Sequence, residues 1–244
     1  ASEWGIFSRV VSDILQYMST QPGLKTSLTA GAIEFYLLQC MDLLNHREPV
    51  QINPANHVPL GYTEMPLTSM DDMTRYLEKV DSMCTAMSTR MNEDSDDHAG
   101  SSRSHCSLIL TLRQLNPETQ AYVSTTFSIV DLAGSERPRT VGTSRLSSTT
   151  DLMRSIMDGE MAVSRSGFLI NYELHELARE VLKATEAHQR QRKYIPMKQL
   201  CTPAIQYLSS ALDGSSLLGM VICLSQDPHC GMETWFSCQY STTL

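Results

Sequence analysis

No Gly-x-x-x-x-Gly-Lys-[Ser/Thr] phosphate loop occurs anywhere in these 244 residues. A chain without that loop lacks its cradle of backbone N–H groups and its lysine, so nucleotide chemistry must draw on other residues or another segment. Cys-x-x-Cys is absent too. The seven cysteines, Cys40, Cys84, Cys106, Cys201, Cys223, Cys230 and Cys238, are scattered and odd in number. That pattern argues against a disulfide-stapled scaffold and a cysteine zinc site, and implies reduced thiols in a cytosolic protein. No apolar run approaches the roughly 20 residues that span a bilayer, and no charged-then-apolar signal segment opens the chain. His175-Glu176 lacks the second histidine of a zinc-peptidase helix, and no Gly-x-Ser-x-Gly elbow occurs. Positive charge is in deficit, with 27 acidic against 19 basic residues and a net charge of −8. Such a balance argues against general nucleic-acid or acidic-membrane binding.

What is present supports a folded protein. Hydrophobic residues make up 41% and charged residues 19%, enough apolar surface for a core in one large domain or two small ones. The fourteen methionines read as core filler, and Trp4 and Trp235 as packing residues. Neither an internal repeat nor a low-complexity tract is present.

Helical spacing of Ile6, Val10, Ile14, Leu15 and Met18 predicts a helix over 5–19, ended by Pro22-Gly23. Residues 28–37 read as a strand, 36–44 as a short helix, and Asn53-Pro54-Ala55-Asn56 as a turn. Thr68-Ser69 opens a helix running to about Ala86, with Asp71 and Asp72 in its first turn, where the helix dipole favours acid. After the acidic stretch 93–100, residues 104–114 and 121–130 read as two strands joined through Asn116-Pro117-Glu118. The second strand ends in Asp131, at a carboxyl edge where α/β sheets place ligands. Residues 137–166 form a surface segment. A helix over 171–187 carries Leu174, Leu177, Val181 and Leu182 on its apolar stripe, and Arg190–Lys193 is a basic loop. A helix over 203–212, a doubly buried strand at 217–224 and a last helix over 231–240 complete an α/β chain.

Two strings carry chemistry: Ser101-Ser102-Arg103-Ser104-His105 and Asp131-Leu132-Ala133-Gly134-Ser135-Glu136. Serine hydroxyls at the end of a loop can ligate Mg²⁺ and orient water, and an aspartate at a strand terminus can hold that metal through water. A following glycine lets a backbone N–H approach a γ-phosphate unobstructed. Arg103 and Glu136 have opposite charge and can pair across the site. Asp131-Leu132-Ala133-Gly134 alone would pass for an ordinary strand-to-loop turn. His105 ends the first string and reads as structural rather than as a base.

In this order and spacing the strings resemble the two nucleotide-sensing switches of the kinesin motor domain. Further stretches extend the likeness. Gly5-Ile6-Phe7-Ser8-Arg9 resembles "GIIPR", Ile33-Glu34-Phe35-Tyr36 with Asp42-Leu43-Leu44 resembles "LEIYNExxxDLL", and Gly61–Leu67 resembles "GLTEVPV". Thr89-Arg90-Met91-Asn92 resembles the "TxMN" entry to switch I, and Ile170-Asn171 with Leu174 and Leu177 resembles "INxSLxxLxxVI". Ile195-Pro196 resembles "HIPYRDSKLT", Ser225 the "CVSP" turn, and Glu233-Thr234 with Tyr240 the closing "EETLxTLxYA".

The resemblance implies a single domain over 1–244, a kinesin-like α/β fold with a central mixed sheet flanked by helices, lacking the family's N-terminal strands and phosphate loop. It implies ATP-dependent microtubule binding and movement with Mg²⁺ and ATP or ADP as cofactors. Asn92, Ser101, Ser102, Asp131 and Gly134 would contact nucleotide. Ser102 and Asp131 would hold the metal, and Ser101, Ser102, Arg103, Gly134 and Glu136 would serve catalysis. Arg190, Arg192, Lys193 and Lys198, with Arg137, Arg139 and Arg145, would form a local positive face toward acidic tubulin; seven of the 19 basic residues lie in these two places. A cytoplasmic, cytoskeleton-associated protein follows, with no nucleic-acid or membrane partner.

Departures from the family pattern carry a second reading. Switch I holds extra residues between Asn92-Glu93 and Ser101, and more are inserted between Arg137 and Ile170. Glu173 replaces a serine, and the "YRDSKLT" pattern has decayed to Met197–Pro203. Each charge-assisted phosphate contact contributes about 1.5–3 kcal/mol, so nucleotide binding without the cradle would be weak or absent. The chain would then be a non-catalytic, kinesin-derived module that binds microtubules or a partner, and a second chain or segment would complete its sheet. Whether it is an ATPase stays open at this point, as does the remote third reading of an unrelated soluble enzyme.

Overall fold

The computed structural model describes residues 4–36, 38–92, 104–134, 163–196, 202–224, 226–227 and 231–243. The chain divides into two compact units, one of Ala1–Gln51 with Leu60–Leu132, the other of Ile52–Pro59 with Ala133–Leu244. Its elements are α1 (Ile6–Ser19), β1 (Lys25–Tyr36), β2 (Gln39–Asp42), β3 (Glu48–Pro49), β4 (Gln51–Ile52), β5 (Pro59–Leu60), β6 (Met65–Pro66), α2 (Met70–Asn92), β7 (His105–Leu115), β8 (Tyr122–Asp131), α3 (Val163–Gln189), α4 (Pro203–Ser210) and α5 (Gly231–Thr243).

A sheet of order β3-β2-β1-β7-β8, with β6 also on β1, forms the first unit. The expected class holds: helices and a central sheet, whose described pairings are all antiparallel. β1 and β7 pair from Lys25 with Leu115 to Phe35 with His105. Leu28, Ala30 and Ala32 project from alternate positions of β1 into a cluster with Phe7 and Val11 of α1 and Met73, Tyr76 and Val80 of α2. The Phe7 and Tyr76 rings stack with centroids 5.3 Å apart, and the Tyr76 hydroxyl donates to the Gly31 carbonyl at 2.8 Å. A Cβ on Gly31 would lie 2.3 Å from the Tyr62 ring, so close packing requires glycine there.

The start of α2 is a reciprocal cap. The Asp72 backbone N–H donates to Ser69 Oγ at 3.2 Å, while the Thr68 N–H donates to Asp72 Oδ2 at 2.9 Å. The helix continues past Ala86 to Asn92.

Two expected elements are corrected. Residues 39–42 are strand β2 rather than part of a helix over 36–44, because Cys40 and Met41 pair with Phe35 and Glu34 in a tight antiparallel return. Asp42 then holds the following turn, accepting from the Leu44 N–H at 2.8 Å and the Thr63 N–H at 2.6 Å. The stretch 217–224 forms no strand and pairs with none among the described residues, and Leu217, Leu218 and Val221 are exposed rather than doubly buried. Among the described residues no strand flanks this apolar stretch to cover it.

In the second unit α3 begins at Val163, eight residues ahead of the expected start. It buries Leu174, Leu177 and Ala178, whereas Leu182 is 44% exposed and lies off the stripe. Helix α4 packs on α3. Thr202 caps α4 and Pro203 fills its first position, which needs no N–H donor. The extent expected for the surface segment 137–166 lies mainly outside the described residues.

Candidate functional site

The antiparallel β7–β8 pair sets the geometry. Cys106 stands opposite Asp131, one residue into β7 and at the last residue of β8. The end of the serine string and the start of the aspartate–glycine string are therefore at one end of the sheet. Cys106 also stands opposite Glu34 of β1, so Glu34, Cys106 and Asp131 form a single row across three strands. Directly paired residues project to the same face, and two strand spacings separate Glu34 from Asp131 by about 10 Å.

Glu34 anchors this row. Its side chain is 4% exposed and forms an ion pair with Arg47, whose side chain is 14% exposed. Ser104 Oγ donates to Glu34 Oε1 at 2.6 Å, tying the end of the serine string to a buried carboxylate. Arg47 reaches Glu34 from a turn in which His46 and Arg47 both take left-handed backbone angles, with φ of 50° and 64°. The Arg47 N–H closes that turn on the Asp42 carbonyl at 2.9 Å. Neither Arg47 nor the role of Glu34 emerges from motif reading. The available signal was a carboxylate inside the apolar run Ile33-Glu34-Phe35, which demands a buried partner.

Cys84 of α2 and Cys106 both pack against the apolar cluster on this face. Hydrogen bonding from Cys106 holds the Cys84 thiol below its ordinary value, against desolvation. The reciprocal bond, with burial, pushes Cys106 up. Cys40, buried in β2, is pushed up to about 12 by desolvation, with Asp42 adding to it.

Of the sequence-predicted residues, Asp131 is exposed at the end of β8 and Asn92 ends α2. Gly134 follows β8 by three residues, and a Cβ built on it meets nothing within 4 Å. Packing therefore does not dictate glycine at 134. Ser101, Ser102, Arg103 and Glu136 lie outside the described residues, as do Arg137, Arg139, Arg145 and Lys198. Arg190, Arg192 and Lys193 lie together at the exposed C-terminal end of α3. Gln191 takes a left-handed angle of 52°, and the Arg192 N–H returns to the Ala187 carbonyl at 2.8 Å. This cap brings cations to the negative end of the helix dipole. Tyr194 fixes the turn by donating its hydroxyl to Glu180 Oε2 at 2.6 Å.

Among the described residues no cluster of three or more His, Cys, Asp or Glu could hold a metal. One exposed carboxylate at a strand end, with hydroxyl groups nearby in sequence, suits Mg²⁺. That ion keeps several waters and takes few protein ligands beside phosphate oxygens. The donor set therefore fits a water-rich magnesium nucleotide and not an all-protein cage.

A family model described as the kinesin motor domain matches residues 1–244. Among curated proteins the chain is similar to Kinesin-like protein KIN-1 of Arabidopsis thaliana, 24% identical over 94% of this chain and 45% of that protein. It is also similar to Kinesin-1 heavy chain of Homo sapiens, 27% identical over 94% of this chain and 22% of that protein. The chain thus spans less than half of these curated relatives. Among solved structures, the C-terminal motor and motor homology domain of Kar3Vik1, fused to a synthetic heterodimeric coiled coil, superposes with a TM-score of 0.70 at 24% identity. It covers 98% of this chain and 57% of that one. The motor domain of the Saccharomyces cerevisiae kinesin-related protein Kar3 gives 0.68 at 22% identity, over 98% and 67%. At these identities the structural likeness bears on the fold.

Proposed function

On the premise that this chain belongs to the kinesin motor-domain family, we propose that it is the switch and track-binding part of a microtubule motor, in which ATP binding and hydrolysis are coupled to microtubule binding and movement. The observation that carries this reading is the pairing of Cys106 with Asp131, through which the end of the serine string and the start of the aspartate–glycine string lie at one end of the sheet.

Mg²⁺-ATP, when bound, supplies the transferable phosphoryl group and the charge that the switches sense. Asn92, Ser101 and Ser102 would contact the nucleotide. Ser102 and Asp131 would hold the metal, Asp131 through water, while Ser101 and Ser102 orient the lytic water. The Gly134 N–H would turn toward the γ-phosphate, and Arg103 and Glu136 would pair as a latch. Ser104, fixed to Glu34, holds the strand side of the first string still while the residues before it respond. Catalysis of this kind is positioning and electrostatics rather than covalent chemistry. Arg190, Arg192 and Lys193, with Arg137, Arg139, Arg145 and Lys198, would face acidic tubulin.

A second reading draws on a different observation, the absence of any phosphate-loop motif from the sequence. Under it the chain binds microtubules or a partner without turnover. In either case a further strand, from another segment or a second chain, would pair with the side of β8 that meets no strand among the described residues. Both readings put the protein in the cytoplasm on the cytoskeleton, and no helix among the described residues is long and apolar enough to cross a membrane.

The discriminating experiment measures ATPase rate with and without microtubules beside co-sedimentation in low salt. Microtubule-stimulated turnover selects the motor. Co-sedimentation without stimulation selects the module, and no co-sedimentation refutes both.

A further inference from the structure

Arg47 occupies a position that turn chemistry reserves for glycine. It and His46 are the central residues of the turn Asn45–Glu48, with φ of 64° and 50°, and the Glu48 N–H closes that turn on the Asn45 carbonyl at 2.9 Å. Two successive left-handed residues favour asparagine and glycine, because a Cβ is strained in that region. Backbone strain of this kind persists only where the surroundings hold it in place. Here it aims a guanidinium. Arg47 Nη1 pairs with Glu34 Oε2, Nη2 donates to Met41 Sδ at 3.4 Å, and the Arg47 N–H donates to the Asp42 carbonyl at 2.9 Å.

Glu34 divides its two oxygens. Oε2 takes Arg47, and Oε1 accepts from the Ser104 hydroxyl at 2.6 Å, a length typical of a bond to a carboxylate. Ser104 immediately precedes His105, the first residue of β7, and His105 is buried opposite Phe35. The bond therefore fixes the point at which the serine string joins the sheet. A second group of the same chemistry shows that such a tie needs no strained turn. Arg113, on regular strand β7, donates to Glu64 Oε1 at 2.7 Å and to Thr29 Oγ1 at 2.9 Å. That group is part-exposed, whereas Glu34 is buried and its tie reaches the end of a chemical string.

We propose that Arg47 is a positioning residue for the serine string. Acting through Glu34, it orients the carboxylate so that Oε1 stays on Ser104, and so sets where Ser101-Ser102-Arg103 leave the sheet. Without the guanidinium the carboxylate turns freely and the Ser104 bond loses its direction. A buried ion pair adds little net stability over an apolar pair of similar volume, so placement of the string accounts better for its presence here. That this placement governs affinity for a magnesium nucleotide rests on the proposed function; the tie from Arg47 to Ser104 does not.

The test measures amide hydrogen exchange in the folded 244-residue chain. Arg47→Gly keeps the left-handed turn without strain and removes the guanidinium. The amides of Ser104, His105 and Cys106 should then exchange about tenfold faster, beyond any change shared by Ile109 and Leu110 in the middle of β7. In the Ser104→Ala background the same substitution should add no local gain, because the tie is already cut; a merely structural role would give additive effects. Arg113→Ala should leave the three amides moving only with Ile109 and Leu110. A fluorescent ATP analogue with Mg²⁺ reads the consequence, and its dissociation constant should rise about tenfold in Arg47→Gly and equally in Ser104→Ala. Where Arg47→Gly does not fold, Arg47→Gln carries the same comparison, since it keeps a donor for Glu34 without the charge. The proposal is overturned if the Ser104, His105 and Cys106 amides change only with the rest of β7, or if the effect is undiminished in Ser104→Ala. A wild-type chain with no affinity for the magnesium nucleotide refutes the proposed function, and the exchange result then decides the positioning role by itself.

Discussion

Removing Arg47 should expose how much of this fold rests on one buried charge. In Arg47→Ala the Glu34 carboxylate, 4% exposed, loses its ion partner and, among the described residues, keeps the Ser104 hydroxyl. Breaking a buried pair by deleting one member costs about 3–5 kcal/mol, because the remaining charge is neither solvated nor compensated. For a chain of this size each kcal/mol lowers the melting temperature by about 2–4 °C, so a fall of about 6–20 °C is expected. The molecule contains its own control. Arg113 and Glu64 form a chemically equivalent pair, but their side chains are 33% and 29% exposed. Exposed pairs contribute about 0.2–1 kcal/mol, so Arg113→Ala should cost several-fold less. The double variant Glu34→Gln/Arg47→Met should recover most of the loss, since it leaves no unpaired charge and keeps an acceptor for Ser104. Thermal unfolding followed by far-ultraviolet circular dichroism reads all three. If Arg47→Ala and Arg113→Ala prove equally mild, the reasoning from burial fails and Glu34 is solvated in solution.

Glycines 31 and 134 should separate packing from chemistry. Gly31→Ala drives a methyl group to 2.3 Å from the Tyr62 ring and should cost about 1–3 kcal/mol, whereas Gly134→Ala meets nothing within 4 Å and should leave the melting temperature unchanged while removing any nucleotide response. The Arg113 and Thr29 hydrogen bonds hold the Glu64 carboxyl below 4.5, its ordinary value. A depressed carboxyl stabilises the fold above its unfolded value and loses that contribution as pH falls through its folded one. Arg113→Met should therefore lower stability at neutral pH and flatten the acid limb below 4.5, so that variant and wild type converge at low pH, as urea titrations at several pH values would reveal. Charge reversal in Arg192→Glu/Lys193→Glu should weaken microtubule co-sedimentation in low salt with the melting temperature unchanged; unaltered binding would remove this turn from the track face.

Much of the architecture is legible in sequence because its signals are local. The alternation in β7 and β8, the Asn116-Pro117 turn between them and the Thr68-Ser69-Asp72 start of α2 are each set by nearby residues. Strand β2 is not legible, because four residues without a clear period take their conformation from the partner strand. Arg47 escapes for a related reason: its importance comes from Glu34, thirteen positions earlier, and only the antiparallel return from β1 to β2 brings them together. Among the described residues, the motif strings single out Asp131 and Gly134 as candidates, and the family register singles out the basic turn. The shared packing of Cys84 on α2 and Cys106 on β7 depends on a helix crossing a strand, which no linear spacing encodes.

Strand β8 offers the sharpest case of sequence and surroundings disagreeing. Its residues, Tyr-Val-Ser-Thr-Thr-Phe-Ser-Ile-Val-Asp, are those of an interior strand, with no proline, lysine or bulge to blunt an edge. Yet among the described residues only β7 pairs with it, and Tyr122, Val123 and Phe127 are exposed. β7 pairs one side of the strand along its whole length, and the other side, which meets no strand among the described residues, is a template for another strand that two copies of this chain could supply to one another. The isolated 244-residue chain should therefore self-associate as its concentration rises, seen as a concentration-dependent sedimentation coefficient. Val123→Lys/Phe127→Lys puts charges on exposed positions, where substitutions usually shift stability by no more than about 0.5 kcal/mol. This variant should sediment as a monomer with unchanged circular dichroism. A wild-type chain that stays monomeric while its β8 amides resist hydrogen exchange would mean that the edge is already covered within one molecule, and the case for an incoming strand would lapse.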